Sequence, residues 1–275
     1  MNTGDFQYIA DLLRARSGLV LGPDKAYLLE SRLNPVARKY EKQNLEDLIS
    51  ALRLQRKEAM IKDVVEAMTT NESFFFRDMK PFDQFRDKVL PQLLQARSAS
   101  KHIRIWSAAC SSGQEPYSLA MILKEQAAKL AGWRIEIVAT DLSTDILDKA
   151  KSGVYTQFEV QRGLPITLLM KYFKQEGDRW IISDEIKSMV NYRVFNLLES
   201  PAGMGTFDVV FLRNVLIYFD QPTKTKVLEA VANQMREDGN LYLGGAETVL
   251  GVTSKFSMIQ GERGLYGLSP KSAAA

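Results

Sequence analysis

The chain has 275 residues, 45% hydrophobic and 25% charged, with 36 Lys and Arg against 33 Asp and Glu. These are ordinary globular proportions; the +3 net charge is too mild to argue for nucleic acid, and no apolar run approaches the roughly 20 residues that span a bilayer. The single cysteine excludes an internal disulfide, and MNTGDFQYIADLL lacks the layout of a signal peptide, so a reducing, cytoplasmic location is expected.

The first seventy or so residues read as helices only. Phe6, Ile9 and Leu13 share one helical face, and Gly18, Gly22 and Pro23 end that first helix. In the second helix Pro35 is expected to introduce a kink or to start a new turn capped by Asn34. Lys25, Arg32, Arg38, Lys39 and Lys42 are interleaved there with Leu28, Leu29, Leu33, Val36 and Tyr40, a pattern that suits a solvated basic face. Leu45, Leu48, Ile49 and Leu52, then Ile61, Val64, Val65 and Met68, repeat the i, i+3, i+4, i+7 spacing. The expected division is an all-helical domain over 1–72 and a second domain over 73–275.

Strand and helix patterns alternate from about residue 100, which predicts a mainly parallel sheet covered by helices. The expected strands are 102–108, 134–140, 191–196, 207–212 and 240–244. Helices are expected from Glu115 to about Ala131, from Ser143 to Gly153, and after Pro222. Residues 154–189 fit the alternation poorly and read as a small inserted subdomain. Two short strands near 256–260 and 265–268 close the chain, and the KSAAA tail is expected to be disordered. His102, the one histidine, reads as a solvated loop residue, and Cys110 as a small loop residue.

Two segments carry the chemistry. WSAACSSGQEPYS, from Trp106 to Ser118, is an apolar strand that breaks into a small-residue loop and reopens as a helix. Gly113 there suits either a tight strand-to-helix turn or close approach of backbone to a nucleotide-like ligand. Glu115 suits the positive end of the helix dipole or the cationic side of a ligand. FLRNVLIYFD, from Phe211 to Asp220, is a strand ending in Arg213 and Asn214, with Tyr218 beyond. Asp141, closing another strand, reads as a ribose-binding acid or as a helix cap competing with Ser143.

Together with TTNESFFFRD (Thr69 to Asp78) and NLLE (Asn196 to Glu199), these segments resemble the CheR family over nearly the whole chain. Members are S-adenosylmethionine-dependent methyltransferases that esterify glutamates of bacterial chemoreceptors. The resemblance implies an α/β fold: a Rossmann-like class I methyltransferase sheet of about seven strands, an all-α N-terminal domain for receptor recognition, and the small inserted subdomain. It implies cofactor contacts from Asn71, Ser73, Arg77, Gly113, Glu115, Asp141, Asn196, Leu197, Asn214 and Val215. Ser73 stands where many members have threonine. Amides capping strand ends remain the plain alternative for Asn196 and Asn214, and core filling for Phe74, Phe75 and Phe76.

Arg77 and Tyr218 are the candidates for orienting the substrate carboxylate. An ionised glutamate needs no general base, so positioning and expulsion of water suffice, and no metal is expected. The implied partner is the helical bundle of methyl-accepting receptors, met through Arg32, Arg38 and Lys39, with no nucleic acid, no membrane insertion and a monomeric enzyme. The short turn in YFKQEGDRWIIS, at Tyr172 to Ser183, lacks the longer glycine-rich loop of members that grip a receptor tail peptide, so dependence on a tail is not expected. The competing readings are a methyltransferase for another substrate and a non-enzymatic cofactor-binding sensor.

Overall fold

The computed structural model describes residues 2–270, so the KSAAA tail lies outside the described residues. The chain up to Thr70 forms one compact unit together with Tyr218–Lys224. Asn71–Ile217 and the chain from Thr225 onward form the other.

The first unit holds α1 (Thr3–Ser17), α2 (Tyr27–Lys39), α3 (Leu45–Gln55) and α4 (Glu58–Met68). Caps set their ends: the Asn2 side chain accepts from Asp5 N, Gly18 closes α1 in the left-handed region, and Asn44 caps α3. Ile9, Leu13, Leu29, Leu33, Leu48, Leu52 and Val64 are fully buried and make the core. Pro35 does not start a new helix. It lies inside α2 on an exposed face, where water can meet the carbonyl that proline leaves without a donor. Arg32 also departs from the expected free basic face. Its guanidinium donates to the carbonyls of Met68 and Thr69 at 2.8 and 2.9 Å, closing the C-terminal end of α4. Lys39 pairs with Asp63 at 2.7 Å, whereas Arg38 is exposed with no ion pair among the described residues.

In the second unit α5 (Lys80–Gln84), a π-helical turn (Phe85–Val89) and α6 (Leu90–Ala96) run into β1 (His102–Ala108). There follow α7 (Gln114–Glu125), β2 (Arg134–Asp141) and α8 (Thr144–Ser152), the last capped by Ser143 and closed by Gly153. The insertion contains β3 (Val154–Thr156), α9 (Gln157–Gln161), α10 (Ile166–Tyr172), β4 (Phe173–Glu176), β5 (Arg179–Ile182) and α11 (Asp184–Lys187). The chain then adds β6 (Val190–Val194), β7 (Phe207–Leu212), α12 (Gln221–Ala232, which begins among the residues grouped with the first unit), β8 (Met235–Leu243), β9 (Phe256–Met258) and β10 (Leu265–Leu268).

The main sheet has seven strands in the order β6-β2-β1-β7-β8-β10-β9. The first five are parallel; β10 pairs antiparallel with β8, and β9 antiparallel with β10. All six residues of β7 are buried, as a central parallel strand covered on both faces requires. β3, β5 and β4 form a separate antiparallel sheet whose β4–β5 turn is only Gly177–Asp178. His102 opens β1 instead of lying in a loop, half-buried with Nε2 3.4 Å from a Glu136 oxygen.

Charge is concentrated at the amino ends of β1, β7 and β8. Asp208, fully buried, accepts from Arg97 Nε at 2.7 Å and Arg104 N at 2.8 Å. Arg97 also forks onto Asp238. The Arg97 hydrogen bonds hold the Asp238 carboxyl below its ordinary range, against the opposing effect of burial. A depressed carboxyl stabilises the fold above its unfolded value of about 3.9 and loses that contribution as pH falls through the folded value. Asp238→Asn is therefore expected to melt lower than the parent at pH 7, with the gap narrowing as the pH falls below the unfolded value of about 3.9. A gap that stays constant across a pH series of melting curves would refute the assignment.

Candidate active site at the strand ends

Because β6, β2, β1, β7 and β8 are parallel, their carboxyl ends share one edge, and the strand order reverses between β1 and β7. A crevice at such a reversal is where open α/β sheets bind ligands. The backbone is strained there. Ala109 and Ser111, after β1, have φ of 56° and 51°, and Asn214, after β7, has 59°. Left-handed conformations cost non-glycine residues about 1–2 kcal/mol each, so the surroundings must hold them.

Asp141 supplies much of that hold. Its Oδ2 accepts from Ser111 N at 2.9 Å and its Oδ1 from Ser143 N at 3.0 Å, tying the loops after β1 and β2 together. Ser111 Oγ donates to the Asn71 carbonyl at 2.9 Å, and Cys110 N to the Thr140 carbonyl at 2.9 Å. Gly113 caps α7 at φ 90°, and a Cβ built there would lie 2.6 Å from Tyr192 Oη and 3.0 Å from the Ala150 Cβ. The missing side chain thus makes room for Tyr192 and Ala150, as the tight strand-to-helix turn requires.

Glu115 is buried in the first turn of α7, and both of its oxygens have partners. Ser107 Oγ donates to one at 2.8 Å and Arg213 Nη1 to the other at 3.0 Å. Arg213, 6% exposed, also donates from Nη2 to the Arg77 carbonyl and to Asp78 Oδ2, each at 2.8 Å. One buried guanidinium therefore fastens the 71–79 segment to β7 and α7. Phe75 and Phe76 of that segment are buried, and Phe75 packs edge-on to Tyr155 and Phe173 of the insertion at 5.0 and 5.5 Å. The core-filling reading holds for these two rings.

Arg77 itself is half-buried. It donates to the Glu72 carbonyl at 2.9 Å, lies 5.4 Å from the Phe74 ring centre and has no carboxylate partner among the described residues. The Asn196 side chain accepts from Leu198 N at 3.0 Å, which turns the chain after β6. Leu197 and Val215 are half-exposed apolar residues after β6 and β7, and Ser73 is half-buried. Tyr218 belongs to the first unit, where its carbonyl accepts from Val20 N at 2.9 Å. Burial, with Asp141 and Glu115 nearby, pushes the Cys110 thiol well above its usual range, so it stays protonated and is a poor nucleophile.

Sequence reasoning singled out neither Arg213 as the hub nor Glu247, whose carboxylate accepts from the backbone after β7. Both contacts link residues over 30 positions apart, beyond any local pattern.

Residues 71–265 match the model of the CheR methyltransferase SAM-binding domain, and residues 4–69 that of the CheR methyltransferase all-alpha domain. The chain belongs to the CheR methyltransferase family. Chemotaxis protein methyltransferase Cher2 of Pseudomonas putida is 39% identical over 271 residues, covering 96% of this chain and 98% of that protein. Chemotaxis protein methyltransferase 1 of Pseudomonas aeruginosa is 40% identical over 265 residues, covering 95% and 96%. The chemotaxis protein methyltransferase of Borreliella burgdorferi is 34% identical over 239 residues, 85% of this chain and 84% of that one. This CheR protein is thus a methyltransferase of the chemotaxis class with an S-adenosylmethionine-binding domain on a mostly parallel seven-stranded sheet.

The donor set of this CheR chain fits such a cofactor in part. Asp141, an acceptor-only carboxylate closing β2 at the carboxyl edge of the sheet, is of the type that ribose hydroxyls donate to. Leu197 and Val215 suit the faces of a flat base. Glu115 fits less well as a direct ligand, because a buried arginine already neutralises it. Among the described residues no group of three or more His, Cys, Asp or Glu is placed to hold a metal ion, and no helix is long and apolar enough to cross a membrane.

Proposed function

We propose that this protein transfers methyl groups from S-adenosylmethionine to glutamate side chains of bacterial chemoreceptors, making carboxyl methyl esters. The observation that carries the reading is Arg77: a guanidinium on the segment fastened to the strand ends, resting on Phe74 and a carbonyl, with no carboxylate partner among the described residues. An incoming glutamate supplies that partner. When bound, S-adenosylmethionine provides a sulfonium methyl, and its transfer to a carboxylate oxygen leaves the electron pair on sulfur as the thioether of S-adenosylhomocysteine.

The chain's own work is to bind, orient and exclude water. Asp141 holds the ribose; Asn71, Ser73, Asn196 and Asn214 give polar contacts, Leu197 and Val215 apolar ones. Arg77 orients the carboxylate through one hydrogen bond, since a full fork would draw charge from the attacking oxygen. Tyr218 is its partner in that role. Residues 1–72 form the receptor-recognition domain and 73–275 the methyltransferase domain. Arg38, exposed and without an ion pair among the described residues, and Lys39 meet the acidic receptor bundle, and positive charge there speeds encounter. The enzyme acts as a cytoplasmic monomer, and the two-residue β4–β5 turn supports independence from a receptor tail.

Incubation with methyl-labelled S-adenosylmethionine and cytoplasmic receptor fragments is expected to give label that alkali releases as methanol, with or without the receptor tail. Base-stable label would mean another acceptor atom. No label, despite cofactor binding, would favour the sensor reading.

A further inference from the structure

Glu247 lies four residues past the end of β8, and its carboxylate is a convergence point. Oε2 accepts from Asn214 N at 2.8 Å and Gly244 N at 2.7 Å; Oε1 accepts from Val215 N at 2.9 Å and Leu216 N at 2.7 Å. The residue is 9% exposed. Three of these four amides belong to the loop that follows β7, and the fourth to the end of β8. A chain that leaves a central strand with Asn214 at a φ of 59° has no ladder partner for those donors, and buried amides must be paired. Only an ionised carboxylate, all acceptor and no donor, can take four of them at once.

A second observation closes the same cluster. A Cβ on Gly244 would lie 2.7 Å from Glu247 Oε2 and 2.8 Å from the Asn214 amide nitrogen. Glycine there lets the carboxylate and the Asn214 side chain share one small space. Glu247 thus fixes both the backbone and the side-chain environment of Asn214.

We propose that Glu247 is a positioning residue for the cofactor site: it holds the Asn214–Val215 loop in its left-handed, ligand-facing conformation. This rests on the reading that Asn214 and Val215 contact the cofactor. Glutamine at 247 would keep one acceptor oxygen and turn an amino group onto amides that need an acceptor. The loop would relax, and a cofactor that requires its strained form would bind less well.

The test is calorimetric binding of S-adenosylhomocysteine to the full-length protein and to Asn214→Ala, Glu247→Gln and the double variant. Glu247→Gln is expected to raise Kd by about tenfold or more, with KM for receptor fragment unchanged. The double variant should be little worse than the worse single one, because both act through one loop. If Glu247→Gln does not fold, Gly244→Ala, which drives a methyl group into the same carboxylate, carries the test with the same expectation. An unchanged Kd for Asn214→Ala would overturn the site reading itself. An Asn214 effect with Glu247→Gln and Gly244→Ala both neutral would overturn only the proposal. Additive effects, or a smaller active fraction at unchanged Kd, would reduce Glu247 to a structural residue.

Discussion

Arg213→Met is expected to destabilise the protein by about 3–5 kcal/mol and to remove methyl transfer. The guanidinium is all but inaccessible, and losing it leaves the Glu115 carboxylate, 11% exposed at its side chain, buried opposite an apolar group. An uncompensated buried charge costs more than the pair it came from was worth. The same change unfastens the Arg77 carbonyl and Asp78 from β7, so the segment carrying Asn71, Ser73 and Arg77 loses one of its anchors, the one nearest Arg77. Adding Glu115→Gln should recover part of the stability, because the orphaned charge disappears, but not the activity, because the segment stays loose. Urea unfolding of the single and double variants separates the two effects. A single variant within about 1 kcal/mol of the parent would show that the buried pair is dispensable.

Gly113→Ala is expected to cost about 2–5 kcal/mol, combining a left-handed backbone with overpacking. The new methyl would meet the buried Tyr192 hydroxyl at 2.6 Å and the Ala150 methyl at 3.0 Å. Tyr192→Phe removes the nearest atom, so the double variant should regain part of the loss; the Ala150 contact and the φ of 90° remain. Were the glycine instead reserved for ligand approach, the alanine variant would keep its melting temperature and lose only cofactor affinity. Melting curves with and without S-adenosylhomocysteine distinguish these outcomes.

Much of the fold was legible in local signals. The 207–212 strand, apolar but for Asp208, has those bounds in the structure, and the α8 helix keeps its expected Ser143 cap and Gly153 stop. Boundaries failed where the signal was weak. The helix expected to reach Ala131 ends at Glu125, after which EQAAKLA continues as tighter i→i+3 turns between Gln126 and Trp133. The first half of β8 was missed because Met235–Gly239 reads as a charged segment, and its charges are spent on Arg97 and Asp208 far along the chain. The same limit applies to the site. Strand-end residues such as Asp141 and Asn214 show themselves by position, whereas the Arg213 hub and Glu247 depend on partners that only folding brings near.

The strand order has a consequence for synthesis. β1 pairs with β2 soon after both emerge, but its other edge waits for β7, from Ile105 to Val209, a separation of 209 − 105 = 104 residues. At a ribosomal rate of roughly 5–20 residues per second, that edge stands open for about 5–20 seconds. Ile103, Ile105 and Trp106, none of them accessible in the finished protein, sit meanwhile on a strand with one open edge, the kind of template that recruits other chains. The insertion, whose strands pair over short separations, can fold inside that interval. Slowing translation between β6 and β7 should therefore lower the soluble yield of this chain.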